Sequence, residues 1–344
     1  MAVFHNSKQR KPSITGQKTL IYLRNKRYLV GIFVLVAAIT VLFVVQLLHP
    51  KNGFSEEELN NYSFEASTLS KIATYGESYS SSSFELAMKE SDNFFTDITD
   101  NHWSMLKQIA KSVQPNTRGD PLKTPSTPGA WFQMHYEPEF SCQFEARIGL
   151  KGDGGKWVCD PHRISRESGK CLVYSIGSNG EANFEAAILK DISKECEIHV
   201  FDFGDYKDTV AKQTGYMKNV HYHRWGISDK TQGSFKTLDD TVKMLGHEER
   251  TIDIFKIDCE GCEFDTYKSW LEAPVKLRQI LIEVHPKLSL LRPSVKLPDT
   301  VNMFKALHDK GYVITHKEPN IMYALQGHCV EYNLLLLSPE FWDE

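Results

Sequence analysis

The sequence predicts a doubly wound α/β domain with a seven-stranded sheet behind an N-terminal membrane helix. Three observations carry this. Seven short β-rich runs alternate with helix-like stretches, two of these runs stop at glycine or acid, and one early segment has no charge for twenty-one residues. A parallel strand ending in small or acidic residues delivers polar groups to the carboxyl edge of an open sheet, where ligands bind.

The uncharged segment is Tyr28–Leu48. As a helix it would be about 31 Å long at about 1.5 Å per residue, enough to cross the hydrocarbon core. A cleaved signal peptide would have a shorter apolar core and a small-residue cleavage site, whereas this one runs out through Gln46-Leu47-Leu48-His49-Pro50-Lys51. Residues 1–27 hold Lys8, Arg10, Lys11, Lys18, Arg24, Lys26 and Arg27 and no acid, a bias that keeps this tail in the cytosol. The expectation is a single-pass type II membrane protein whose remainder faces the Golgi or ER lumen or the exterior. Beyond the tail, 33 basic residues stand against 44 acidic ones. That is the wrong sign for a phosphate backbone, and nucleic acid is not expected as a partner.

Residues 49–130 read as a stem: Glu56-Glu57-Glu58, serines at 80–83 and a Pro/Thr-rich run from Pro115 to Pro128. Within it, Phe84–Val113 has apolar residues at helical spacing, and Asn61-Tyr62-Ser63 is a glycan acceptor sequence. From Trp131 to Glu344 the domain proper is expected. Its strands fall at Leu172–Ile176, Ile198–Phe201, Val220–Arg224, Ile252–Ile257, Gln279–Val284, Tyr312–Thr315 and Asn333–Leu337. Helices are expected at Asn183–Ile192, Leu238–Leu245, Asp265–Leu271 and Val301–Lys310. The last two strands have no helix between them and read as a hairpin.

Seven cysteines suit an oxidising compartment. Cys142 and Cys159 flank the turn Lys151-Gly152-Asp153-Gly154-Gly155 and are the first-choice bridge. Cys259-Glu260-Gly261-Cys262 has the spacing of a redox or zinc half-site. With no second CxxC and no paired histidines nearby, the two are expected as core thiols, and no metal is assigned. His221-Tyr222-His223 places two histidines on one side of a strand, without a role.

The first strand ends in Gly177-x-x-Gly180, a turn that lets a ligand approach the backbone. The middle glycine of a dinucleotide fingerprint is missing, which disfavours nicotinamide chemistry. Asp202, after the second strand, is placed to accept hydrogen bonds from the hydroxyls of an adenosine ribose. With Asp153-Gly154-Gly155-Lys156-Trp157-Val158-Cys159, Phe184-Glu185, Lys256-Ile257-Asp258-Cys259-Glu260-Gly261-Cys262-Glu263 and Ile282-Glu283-Val284-His285, the stretch from Cys142 to Leu337 resembles S-adenosylmethionine-dependent methyltransferases. The likeness is to the FkbM-type group and the family called methyltransferase-like protein 24.

The resemblance implies a Rossmann-like methyltransferase sheet with a terminal antiparallel hairpin. It also implies S-adenosyl-L-methionine as cofactor, held by Ser175, Gly177, Ser178, Asn179, Gly180 and Asp202. Ser175 departs from the pattern, since many such enzymes have an acid there. Methyl transfer to oxygen needs a base. Asp258, Glu260, Glu283 and His285 fall at the ends of adjacent central strands: Asp258 or His285 is expected to deprotonate an acceptor hydroxyl, with Glu260 and Glu283 orienting it. A divalent ion on Asp258, Glu283 and His285 is chemically possible. The acceptor expected in a lumen is a glycan or small molecule. Two alternatives stay open: a type II glycosyltransferase using Asp258 and Glu260, or a non-catalytic binding protein on this scaffold, motivated by Ser175.

Overall fold

A computed structural model describes residues 83–123, 128–164, 166, 171–285, 296–320 and 329–343. The basic tail, the expected span at 28–48, the glycan sequence at Asn61 and the stem up to residue 82 lie outside the described residues. Among the described residues no helix is long and apolar enough to cross a membrane.

Two helices come first, α1 (Glu85–Glu90) and α2 (Asp100–Val113), followed by α3 (Pro128–Met134). Asp100 ties the first two together, because its Oδ1 accepts from the N–H groups of Leu86 and Ala87 at the start of α1. Thr99 caps α2 by accepting from His102 N–H. A short antiparallel hairpin follows, β1 (Glu145–Ile148) with β2 (Lys156–Cys159). It is pinned by the Cys142–Cys159 disulfide, the pairing that the glycine-rich turn suggested.

After α4 (Pro161–Ile164) the main sheet begins with β3 (Leu172–Ile176), α5 (Asn183–Ala187), β4 (Glu197–Phe201), α6 (Lys207–Gln213) and β5 (Val220–His223). A minor ladder joins β6 (Gly226–Ile227) to β7 (Phe235–Lys236), and α7 (Leu238–Leu245) leads into β8 (Thr251–Ile257). Then come α8 (Glu263–Glu272), β9 (Lys276–Val284), α9 (Leu297–Asp309), β10 (Tyr312–Pro319) and β11 (Val330–Leu336). The spatial order is β10-β11-β9-β8-β3-β4-β5, all parallel except β11, which runs against both its neighbours. The seven expected strands are all present, and the last two pair antiparallel as expected. The expected helix over 183–192 is α-helical only to Ala187 and widens into a π turn at Ile188–Ile192.

The central strands are buried on both faces, so Leu172–Ile176 reads as an unbroken apolar run. On one face α7, α8 and α9 cover Tyr174, Phe201, Phe255 and Ile280. The other face buries Val173, Ile198, Val200 and Ile254 with Phe184 and with residues of α1 and α2. Within the segment expected as a stem, therefore, the helices from residue 85 onward share the core of the sheet. Trp103 of α2 is fully buried, its ring centroid 5.2–5.8 Å from those of Phe95, Phe140 and Phe341, and its indole N–H donates to Glu90 at 2.6 Å. Replacing it leaves a large cavity and removes one of the partners of Glu90, whose other oxygen keeps Lys107. Trp103→Ala is expected to lower stability by about 3–5 kcal/mol in chemical denaturation.

Candidate active site

The switch in strand order lies between β3 and β8, and there the sequence-predicted residues gather. Gly177 has φ +78, and a Cβ on it would lie 1.7 Å from the Asp258 carbonyl oxygen. The glycine is thus required by the approach of the two strand ends to each other, a closer constraint than the ligand approach expected of it. Beyond it, Asp202 organises the turn: its Oδ2 accepts from Asn179 N–H (2.7 Å) and Ser178 Oγ (3.5 Å), and its Oδ1 from Gly204 N–H (2.9 Å). Ser178 Oγ in turn accepts from Gly180 N–H, and the Tyr206 ring lies over Gly180 with its hydroxyl donating to Asn179. Ser178, Asn179, Gly180 and Asp202 therefore form one hydrogen-bonded unit. Asp202 is a tether of the turn as well as a candidate ribose acceptor.

Among the described residues, two groups beside this turn have no hydrogen-bond partner, and both are buried. Ser175 is fully buried, and its Oγ has no hydrogen bond among the described residues. Glu185, in the first turn of α5, is 1% exposed with both carboxylate oxygens unpartnered. An unpaired buried carboxylate is costly, and a cationic ligand would relieve it. In the sequence Glu185 is one of the residues that carry the family resemblance and has no assigned role; its lack of a partner shows only in the structure.

Across the sheet edge stand Asp258 after β8, Glu283 near the end of β9, His285 just beyond it, and Glu260 in the following loop at φ +54. The structure brings these four together. His285 Nε2 lies 3.9 Å from Asp258 and 3.7 Å from Glu260, while its Nδ1 lies 3.3 Å from Glu263 Oε1. Glu263, the first residue of α8, also accepts from the backbone N–H groups of Gly261 and His285. The expectation of core thiols at Cys259 and Cys262 is corrected: they form a disulfide that closes the loop carrying Glu260. Cys171–Cys196 is a third bridge, and Cys329 is free and buried.

The residue missed by sequence reasoning is Lys156. Only 2% exposed, it extends from β2 into the cluster and meets Asp258 at 3.5 Å, Glu283 at 3.4 Å and Glu331 more closely still. Its ammonium stands amid the carboxylates where a divalent ion was considered. Asn320 Nδ2 donates to the other oxygen of Glu283.

The charges separate the acids. Burial pushes Asp258 up, but Lys156, Lys256 and His285 outweigh it and hold the carboxyl down at about 2. Burial, reinforced by Glu283 and Asp258, pushes Glu331 up to about 8 despite Lys156. Burial would lower His285, yet a hydrogen bond with Cys329 and the carboxylates of Glu263 and Asp258 raise it to about 12, so it is an imidazolium at neutral pH. Burial, with Asp258, Glu283 and Glu263 nearby, also raises Glu260. A cavity of about 300 Å³ between Gln114, Glu139, Phe304 and Tyr312 shares no lining residue with this cluster.

Residues 85–335 match the family model of a methyltransferase domain. No curated protein gives a significant match. Similar solved structures include a fibrillarin pre-rRNA processing protein of Methanococcus jannaschii, with 8% identity, 56% of this chain and 83% of that one covered, and a TM-score of 0.35. For the 1,6-didemethyltoxoflavin-N1-methyltransferase of Burkholderia thailandensis, solved with S-adenosylhomocysteine, the figures are 11%, 58%, 99% and 0.32. For the precorrin-6y C5,15-methyltransferase of Geobacter metallireducens they are 11%, 51%, 86% and 0.30.

The pKa shifts set a pH dependence. Because the folded state holds a proton on Glu331 that the unfolded chain releases near 4.5, its contribution declines as pH rises from about 4.5 to about 8. Asp258 acts oppositely, contributing stability above about 3.8 that is lost as pH falls toward 2. Glu331→Gln is expected to flatten the decline between pH 4.5 and 8 in urea midpoints, leaving the acid limb in place.

Proposed function

We propose that this chain, which belongs to the methyltransferase-domain family, transfers a methyl group from S-adenosyl-L-methionine to a hydroxyl of a glycan or small molecule. The observation that carries the reading is the meeting of the glycine turn with an ionised, part-exposed Asp258 at the switch point of the sheet. When bound, the cofactor supplies a methyl group on a sulfonium whose departure leaves a neutral thioether. The residues present fit such a group: Glu185 offers an unpaired buried carboxylate to a cation, Asp202 an acid to a ribose, and the turn 177–180 a close backbone.

Proton removal falls to Asp258. An imidazolium cannot accept a proton, which takes His285 out of the role of base and leaves it to hold Asp258 ionised and to donate to the acceptor. Glu331 and Glu283 are shut away with Lys156, whereas Asp258 keeps 21% of its side chain exposed. Glu260, half-exposed on its disulfide-closed loop, orients the acceptor, while Glu283 acts from behind by holding Lys156. The acceptor's proton would go to the Asp258 carboxylate as its oxygen takes the methyl group.

The three disulfides support an oxidising setting, in keeping with a type II anchor at 28–48 and a luminal or extracellular domain. A lysine occupying the centre of the acids favours methyl transfer over a metal-dependent glycosyltransferase.

S-adenosylhomocysteine is expected to raise the melting temperature of the purified protein, and Glu185→Gln to remove most of that rise. Asp258→Asn is expected to cut methyl transfer about 10²–10⁴-fold, measured with isotope-labelled cofactor. Full turnover in Asp258→Asn would eliminate Asp258 as base. No stabilisation by S-adenosylhomocysteine would instead favour a non-catalytic binding protein.

A further inference from the structure

The histidines at 221 and 223 belong to a larger cluster. Tyr174 of β3, His199 of β4 and His221 of β5 are register partners across three parallel strands, so their side chains share one face, as do those of Phe201 and His223 two residues on. Glu197 opens β4 two residues before His199 and lies on the same face. The fourth histidine, His247, arrives from α7. Gly246 ends that helix at φ +70, and His247 N–H donates to Val242, which directs the chain back onto the sheet.

Glu197 Oε1 lies 3.1 Å from His199 Nε2 and 3.6 Å from His247 Nε2. One ligand atom from each of these three residues falls within 4.8 Å of the others. Two nitrogens and an oxygen around a tetrahedral ion with bonds of about 2.0–2.1 Å stand roughly 3.3 Å apart, so the spacing needs little adjustment. Both rings are already oriented for it. His199 Nδ1 is hydrogen-bonded to His223 Nε2 at 2.8 Å, and His247 Nδ1 to the Tyr174 hydroxyl at 2.8 Å, leaving each Nε2 turned toward Glu197. Partners of this kind on the far nitrogen are how metal-binding histidines are usually held. Arg250 bonds the other oxygen of Glu197, which fixes the carboxylate and leaves Oε1 facing the imidazoles.

We propose that Glu197, His199 and His247 form a binding site for a divalent transition metal, zinc by its donor set, with His223, Tyr174 and Arg250 as orienting partners. The two histidine side chains are 5% and 6% exposed and Glu197 31%, so the site opens on one side for entry of the ion and a water as fourth ligand. It lies toward the amino end of β4, whereas Asp202 and the acids lie at the carboxyl edge. It shares no residue with them. A bound ion would join β4 to the turn between α7 and β8.

The test is titration of the chelator-stripped full chain with Zn²⁺, and separately with Co²⁺ followed by its visible absorption. One equivalent is expected, with a rise in melting temperature. Glu197→Gln and His247→Ala should each weaken binding at least about 100-fold, Tyr174→Phe about 10-fold, and His285→Ala not at all. Glu197→Gln keeps its size and a neighbour in Arg250, so it decides the matter if His247→Ala fails to fold. Absence of saturable binding to the wild type would overturn the proposal. So would binding undiminished by Glu197→Gln, or binding lost in His285→Ala, which would move the ion to the acid cluster.

Discussion

Where β3 and β8 end side by side, the backbone of Gly177 is pressed against the carbonyl of Asp258, and three strands close on that point. Gly177 N–H donates to Phe201 at the end of β4, Asp258 N–H donates to Ile176, and the Lys256 ammonium donates to the carbonyl of Gly177. Only a residue without a side chain fits there. Because the contact holds the first turn against the fourth strand, the loop tethered by Asp202 and the acids beginning at Asp258 face one another across a single edge. Separating the two strands would part both halves of the site and split the sheet between β8 and β3.

The second requirement is charge balance. Asp258, Glu283 and Glu331 converge on one face, and such a group is stable only with a cation among them. The β1–β2 hairpin brings that cation. It is fixed by the Cys142–Cys159 bridge and by the Gln279 side chain, which both donates to and accepts from the backbone of Cys159, so Lys156 enters at a set depth. The small hairpin thereby supplies the cation that, with Lys256 and His285, holds Asp258 ionised against its burial.

The strands were legible because parallel strands buried on both faces leave unbroken apolar runs, and their starts were misjudged where polar residues belong to the ladder. β9 begins at exposed Lys276 and β11 at Val330, just before Glu331, each three residues ahead of the expected start at Gln279 or Asn333. The acids of the site were legible because they follow strand ends. Lys156 was not, since its partners lie more than a hundred residues away in sequence and nothing local marks the first residue of Lys156-Trp157-Val158-Cys159 as pointing inward. The spacing of Cys259 and Cys262 fits free thiols, ligands and a bridge equally, and only coordinates separate them. Alternation revealed His221 and His223, but their companions come from β4 and from the end of α7, which no periodicity connects.

The reversal of β11 has an effect on how the edge is supplied. In a parallel sheet every strand presents its last residues to the ligand rim, whereas β11 presents its first. Glu331, and Cys329 beside His285, occupy the rim for that reason, although each stands at a strand beginning. A substitution at the start of β11 therefore falls on the ligand rim, whereas one at the start of a parallel strand falls on the opposite edge of the sheet.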